Sequence, residues 1–242
     1  MNTIEVCFTP KLYSEIITKE NFIVVMVDIL RASTSICAAF ENGVETIIPV
    51  ASLVDAKAYK EKGFLVASER EGVVLGFADF GNSAFNFMTE AVIGKTIAYS
   101  TTNGTQAIEM AKNAQGLVIG SFSNLTALSK YLIKQNSNVV ILCAGWKNKF
   151  NLEDSIFAGA LTERLLVSSD FKMDCDAAEA SLDLWKIAMN NPLEYIQKAA
   201  HRARLKKLNL DDVLEFTFEI DTANVVPLLI NGVLVAEKEA ID

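Results

Sequence analysis

Phe22-Ile23-Val24-Val25-Met26-Val27-Asp28-Ile29-Leu30-Arg31-Ala32-Ser33-Thr34 is the stretch on which the fold turns. Residues 22–27 form an unbroken apolar, β-branched run, the pattern of a strand buried on both faces. From Ser33 to Phe40 the pattern turns helical. An acid, Asp28, and a base, Arg31, therefore fall where a parallel strand ends and a helix begins, the place where open α/β sheets bind ligands. A charged pair is costly in so apolar a setting unless it is compensated or used, which makes the segment a site candidate as well as a fold signal.

Working outward, the same alternation continues. Strands are expected over 4–8, 22–30, 44–49, 64–67, 96–100, 117–120 and 139–144, with helices over 52–62, 104–112, 124–135 and 153–166. This implies βαβ crossovers and a largely parallel sheet covered by helices on both faces, an α/β fold. The C-terminal third differs. Helices are expected over 174–189 and 192–205, with Pro192 suited to a first turn, and a strand over 213–220. Apolar runs 225–230 and 233–236 flank Asn231-Gly232, a strong hairpin signal. This region is expected to pack on the main sheet or cap it. No Pro/Gly/Ser-rich linker divides the chain, so one domain over 1–242 is expected.

The chain has 242 residues, 51% of them hydrophobic, enough for a substantial core. No apolar run approaches the ~20 residues that span a bilayer. Met1-Asn2-Thr3-Ile4-Glu5 lacks a basic segment followed by an apolar one, so no secretion signal is expected. Cys7, Cys37, Cys143 and Cys175 form no CxxC or Cys/His cluster, which argues against zinc and fits reduced thiols in the cytoplasm. A net charge of −8 argues against nucleic acid as a partner and requires a locally positive pocket or a metal ion for any anionic ligand. The lone histidine, His201, lies in the basic run 201–207, which reads as a solvated helix face.

One device recurs: a strand ends, small hydroxyl or amide residues follow, and a helix begins. It is seen at Ala32-Ser33-Thr34-Ser35, at Ser100-Thr101-Thr102-Asn103-Gly104-Thr105, at Gly120-Ser121-Phe122-Ser123-Asn124, and at Ala144-Gly145 leading to Glu153-Asp154. Each alone is an ordinary helix cap. Four along one sheet edge favour a phosphate or carboxylate pocket at helix N-termini, with Ser33, Thr34, Ser121 and Asn124 as substrate-binding candidates. Asp28 reads as a metal-binding or nucleophilic carboxylate and Arg31 as an anion clamp. Ser68-Glu69-Arg70-Glu71-Gly72 is either a solvated charged turn or a site in which Glu69 offers a Mg²⁺ ligand and Arg70 a bidentate grip on phosphate. Asp79 is a candidate ligand or base, and Asn82 and Ser83 either donate to an anion or cap a helix. Thr102, Asn103 and Gly104 suit a small anion, since the lysine and spacing of a P-loop are absent. Cys143 is either a low-pKa nucleophile or an inert buried thiol. Glu153 and Asp154 suit a helix N-terminus, and with Asp28 and Glu69 they supply the hard oxygens Mg²⁺ prefers.

These segments, in this order, resemble the 2-phosphosulfolactate phosphatase (ComB) family. The resemblance is clear from Ile4 to Leu166 and continues in outline. It implies a three-layer α/β/α fold and a Mg²⁺-dependent acid phosphatase acting on phosphate esters of 2-hydroxycarboxylic acids. The named substrate is 2-phospho-3-sulfolactate, on the route to coenzyme M. The matching positions are Asp28, Arg31, Glu69, Arg70, Asp79, Asn82, Thr102, Asn103, Gly104, Cys143, Glu153 and Asp154. Two places depart: Gly81-Asn82-Ser83 is followed by Ala84 where the family has proline, and Cys143-Ala144-Gly145 continues as the glycine-poor Trp146-Lys147-Asn148-Lys149. On this reading Mg²⁺ polarises the phosphoryl group and activates a water for direct attack, with a phospho-enzyme at Asp28 or Cys143 as the alternative. The expected partner is a small anionic phosphorylated hydroxyacid, without nucleic acid or membrane, and the expected assembly a homodimer. A haloacid-dehalogenase-type phosphatase needs a second acid two residues after the first, where this chain has Leu30. The non-enzymatic rival is an anion-binding or regulatory module on the same fold.

Overall fold

The computed structural model describes residues 1–16, 21–208, 210–211 and 213–238. Its strands are β1 (Asn2–Cys7), β2 (Phe22–Val27), β3 (Thr46–Pro49), β4 (Leu65–Arg70), β5 (Val73–Val74), β6 (Thr96–Ser100), β7 (Gly116–Gly120), β8 (Asn138–Cys143), β9 (Phe171–Met173), β10 (Val225–Ile230) and β11 (Val233–Lys238). Its helices are α1 (Tyr13–Ile16), α2 (Ala32–Glu41), α3 (Leu53–Glu61), α4 (Gly104–Ala111), α5 (Leu125–Gln135), α6 (Leu152–Leu166), α7 (Asp176–Ala188), α8 (Pro192–Tyr195), α9 (Ala200–Lys207) and α10 (Leu214–Phe218).

Strand β2 shows why its run is apolar throughout. Side chains alternate across a sheet, so Ile23, Val25 and Val27 enter one core with Leu128, Phe157, Leu161 and Trp185 of α5, α6 and α7. Val24 and Met26 enter the opposite core with Ile36 and Phe40 of α2 and Ile108 of α4. Both faces are covered, as expected of a three-layer α/β/α arrangement.

The sheet order is β5-β4-β6-β3-β11-β10-β7-β2-β8-β1-β9. The parallel strands fall into two runs, β4-β6-β3 and β7-β2-β8-β1-β9. The Asn231-Gly232 hairpin, β10 with β11, is inserted between them rather than capping the sheet, and it pairs antiparallel to β7 and to β3. Three antiparallel steps set the two runs in opposed senses. Five strand steps at about 20–25° of twist each rotate β6 against β2 by roughly 100–125°, which lets the carboxyl ends of the two runs converge. The expectation that all four strand-to-helix turns share one edge is corrected accordingly.

Two local expectations also fail. Residues 213–220 are not a strand: Val213, Leu214, Thr217 and Phe218 are buried on one side of α10, and the Thr217 hydroxyl donates to the Val213 carbonyl. That spacing is helical, and β-branched composition concealed it. The helix expected over 192–205 is broken, because Ala199 is extended at φ −70°, ψ 136° and starts α9 afresh.

Candidate active site

Where β2, β4 and β6 end, their loops and one face of α9 enclose a narrow polar cleft lined by Asp28, Arg31, Glu69, Asn82, Thr102, Asn103, Trp146, His201 and Arg204. The β2–α2 turn is built by its own hydroxyls. The Asp28 amide donates to Ser33 Oγ at 2.7 Å, and Thr34 Oγ1 donates to the Ile29 carbonyl at 3.1 Å. Ser33 and Thr34 thus shape the turn that presents Asp28 and Arg31 and do not line the cleft. The Leu30–Arg31 peptide is cis. Gly104 opens α4 against this turn: a Cβ there would lie 2.7 Å from Ala32 Cβ and 3.0 Å from an Asp28 carboxylate oxygen, so only glycine lets α4 approach.

Glu69, at the end of β4, joins the loops on that side. Its Oε1 accepts from the Thr102 amide at 2.9 Å and the Thr102 hydroxyl at 3.0 Å, and its Oε2 accepts from the Gly72 amide at 2.5 Å. Asn103 Oδ1 accepts from the Lys147 amide at 3.3 Å, fixing the Trp146 loop to the β6–α4 turn. Asp154 does the same beneath. Its Oδ1 accepts from the Ile29 amide at 2.9 Å and its Oδ2 from the Gly145 amide at 3.0 Å, tying the exits of β2 and β8 together. Asn151 caps α6 through the Asp154 amide.

The acids gather at the cleft and behind it. Burial, then the carboxylates of Asp154, Glu69 and Glu153, hold Asp28 well above the usual carboxylate range. Burial and Glu153 push Asp154 up to about 7, against the N–H bonds that favour its charge. The cations face them. Arg31 is 6% exposed, and its guanidinium makes no hydrogen bond or ion pair among the described residues. Arg204 stacks on the Trp146 ring at 3.5 Å, and its Nη2 is buried without a partner. Trp146 also stacks on His201, 5.2 Å between ring centres, and His201 Nδ1 lies 2.6 Å from Glu153 Oε1.

Several sequence candidates stand elsewhere. Asp79 accepts from Lys60 Nζ at 2.5 Å and from the Val66 amide at 2.9 Å, which fixes the 75–80 loop to β4, away from the cleft. Arg70 donates to the carbonyls of Glu69, Ser100 and Ala51 and to Ser100 Oγ, so it staples strand ends here and does not line the cleft. Ser121 and Asn124 form a capping box, and Asn124 Nδ2 also donates to Val225 O at 3.0 Å, joining β7 to β10. Ser83 Oγ is buried without a partner and does not line the cleft, whereas Asn82 does and accepts from the Tyr99 hydroxyl. Cys143 is fully buried and does not line the cleft, and burial followed by Asp154 pushes its thiol well up. His201 is not solvated. It is buried with Leu205 on the inner face of α9, and Arg204 lines the cleft beside them. The i, i+3, i+4 spacing of His201, Arg204 and Leu205 was the available signal, masked by the surrounding lysines and arginines.

A metal fits here only in part. Among the described residues no three His, Cys, Asp or Glu side chains gather as a ready cage. Asp28 and Glu69 face the cleft, which suits an ion that takes one or two carboxylates and completes its shell with water and phosphate oxygens. Glu153 and Asp154 lie behind them, engaged by His201 and by backbone amides.

Comparison with known proteins points to a single family. Residues 7–232 match the family model described as 2-phosphosulpholactate phosphatase. A protein of Caldanaerobacter subterraneus subsp. tengcongensis is 35% identical over 215 residues, covering 87% of this chain and 89% of that protein. One of Thermotoga maritima is 35% identical over 215 residues, covering 88% and 92%. One of Caldicellulosiruptor saccharolyticus is 34% identical over 230 residues, covering 92% and 93%. All three carry the name "Probable 2-phosphosulfolactate phosphatase". Among the described residues no helix is long and apolar enough to cross a membrane.

Proposed function

The chain belongs to the 2-phosphosulpholactate phosphatase family, whose members are phosphoric monoester hydrolases, and from that premise we propose that it hydrolyses phosphate monoesters of 2-hydroxycarboxylic acids with Mg²⁺. The substrate proposed first is 2-phospho-3-sulfolactate, giving 3-sulfolactate and phosphate. One observation carries this reading: two guanidinium groups, Arg31 and Arg204, face one narrow cleft beside Asp28 with no carboxylate paired to either. Unpaired buried cations are costly, and a bound dianion relieves that cost.

The roles follow from position. Arg31 and Arg204 hold and neutralise the phosphoryl oxygens, which supplies the charge stabilisation that phosphoryl transfer mostly requires. The free donors of Asn82 and Asn103 orient the ester. Glu69 keeps Thr102 and Gly72 in place. Asp28 and Glu69 would hold Mg²⁺, which when bound supplies charge neutralisation and an acidified water. The crowded acids support a cation there, since a positive charge reverses the repulsion that raises Asp28. Cys143 takes no part, which leaves Asp28 as the phospho-enzyme alternative to attack by water.

The test is phosphate release from 2-phospho-3-sulfolactate and from 2-phospholactate, with Mg²⁺ and with a chelator. Metal-dependent release from either ester is expected. Release from neither, or release untouched by chelation, would overturn the reading.

A further inference from the structure

The alcohol of a 2-hydroxy acid is a poor leaving group. Its oxygen departs as a strongly basic alkoxide unless a group in the cleft hands it a proton as the P–O bond breaks. The roles given above supply no such group. Arg31 and Arg204 are guanidiniums, which keep their protons, and Asp28 and Glu69 are the acids proposed for Mg²⁺. The one further side chain of acid–base type that lines the cleft is His201, the single histidine of the chain.

Its surroundings suit it to give a proton. Glu153, on α6, is fully buried, and its Oε1 accepts from His201 Nδ1 at 2.6 Å. Its Oε2 is buried without a partner, so the imidazole is the one hydrogen-bonded group that offsets this charge among the described residues. A buried carboxylate is costly beside a neutral partner, which favours the imidazolium. Glu153 lines the neighbouring cavity and not the cleft, whereas His201 lines both. The ring therefore stands between the carboxylate and the cleft. The two N–H bonds of an imidazolium point nearly opposite ways, so Nδ1 bound to Glu153 turns Nε2 toward the cleft. Nε2 has no hydrogen-bond partner among the described residues and is not sealed from solvent. Trp146 stacks on the ring, and Arg204 covers Trp146, which holds the ring plane. The other charges around the ring are Arg31 and Arg204 with Asp28 and Glu69 on the cleft side, and Lys149 and Lys198 on the cavity side.

We infer that His201 is the general acid of this site, its Nε2 protonating the leaving oxygen while Glu153 holds the ring in place. This rests on the phosphatase reading above. As the P–O bond breaks, its electron pair goes to the ester oxygen, which takes the Nε2 proton and departs as the free hydroxyl. Phosphorus gains a bond to the oxygen of water, which releases a proton to solvent, and the imidazole recovers its own from solvent. Attack by Asp28 in place of water changes the new bond and not the path of this proton.

The experiment compares kcat/KM for 2-phospholactate and for its 3,3,3-trifluoro analogue, whose fluorines make the departing alkoxide far less basic. His201→Gln should lower the value for phospholactate by about 100-fold or more, the scale of general acid catalysis. The loss for the trifluoro ester should be smaller by about tenfold or more, because that oxygen needs the proton less. Glu153→Gln should show a partial loss with the same bias. The comparison of two esters is made within each variant, so partial loss of active protein does not mimic the result. A readout on the native protein needs no variant: with a single histidine, the ring nitrogens are read directly by ¹⁵N NMR, and inorganic phosphate should shift the Nε2 signal. Equal losses for the two esters, a loss under about threefold in His201→Gln, or an Nε2 signal unmoved by phosphate overturns the acid role. The phosphatase reading then stands, since the native protein still releases phosphate. Release by the native protein from neither ester sinks that reading and the acid role with it.

Discussion

Replacing Glu69 by glutamine tests how the cleft is held together. In the native protein its two oxygens accept three donors: the Thr102 amide, the Thr102 hydroxyl and the Gly72 amide. Glutamine has one oxygen and one NH₂. With the oxygen kept toward Thr102, the NH₂ confronts the Gly72 N–H and that bond is lost. A hydrogen bond to a charged group contributes about 1.5–3 kcal/mol. Removing one negative charge near Asp28 offsets part of this, since Glu69 is among the groups that raise Asp28. A net loss of about 1–2 kcal/mol remains, which for a protein of this size lowers the unfolding temperature by roughly 2–8 °C. Gly72 and Thr102 line the cleft and Glu69 is one of the two acids proposed to hold Mg²⁺, so the substitution should lower kcat/KM for phosphate release by about 10- to 100-fold. Scanning calorimetry and steady-state kinetics read both quantities. Thr102→Val is the companion variant, and its cost should shrink in the Glu69→Gln background because the two share one network. An unchanged or higher unfolding temperature, or full additivity of the two substitutions, would refute the account of how the loops are joined.

Further outcomes are expected. Arg31→Met should lower kcat/KM by about 30-fold or more, the cost of truncating one partner of a buried charge-assisted contact; a loss under threefold contradicts its role. Cys143→Ala should keep turnover within about threefold while lowering stability, because the thiol fills core and does not react; abolished turnover in a folded variant would restore the nucleophile. Gly145→Ala should destabilise by about 2 kcal/mol or more, since φ is +60° and a Cβ would sit 2.2 Å from the Lys149 carbonyl. Asp28 is raised in the folded state, so below the metal's range the folded protein binds more protons than the unfolded chain as pH climbs past about 4. Metal-free stability is therefore lost progressively above that pH, and Asp28→Asn should gain on the native protein as pH rises. A stability difference flat across pH 4–8 contradicts this.

The central run of the chain announced its own structure because a strand buried on both faces must be apolar at every position, and β2 is. The end of that strand announced Asp28 and Arg31 for the same reason: nothing else in so apolar a setting explains a charge. Glu69, Thr102 and Asn103 were legible as polar residues at strand ends, and Asn82 as a loop residue able to donate to an anion. Arg70 and Asp79 were legible as polar but not as to purpose, since a guanidinium that caps carbonyls and one that binds phosphate look alike until the carbonyls are placed. The convergence of two opposed parallel runs was not legible, because it depends on where the Asn231-Gly232 hairpin inserts, a long-range pairing with no local signature. His201 and Arg204 were hidden by composition. A basic run predicts a wet helix face, and only the packing of Leu205 and the Trp146 loop turns one side of α9 inward.

The most direct measurement is phosphate release from 2-phospho-3-sulfolactate and 2-phospholactate by the native protein and by Asp28→Asn, each with Mg²⁺ and with a chelator and both verified as folded. The account predicts metal-dependent release by the native protein and a loss of about a thousandfold or more in the variant, the scale of removing a group that acts only on the reacting centre. Turnover retained within tenfold by Asp28→Asn would place the chemistry somewhere other than the end of β2.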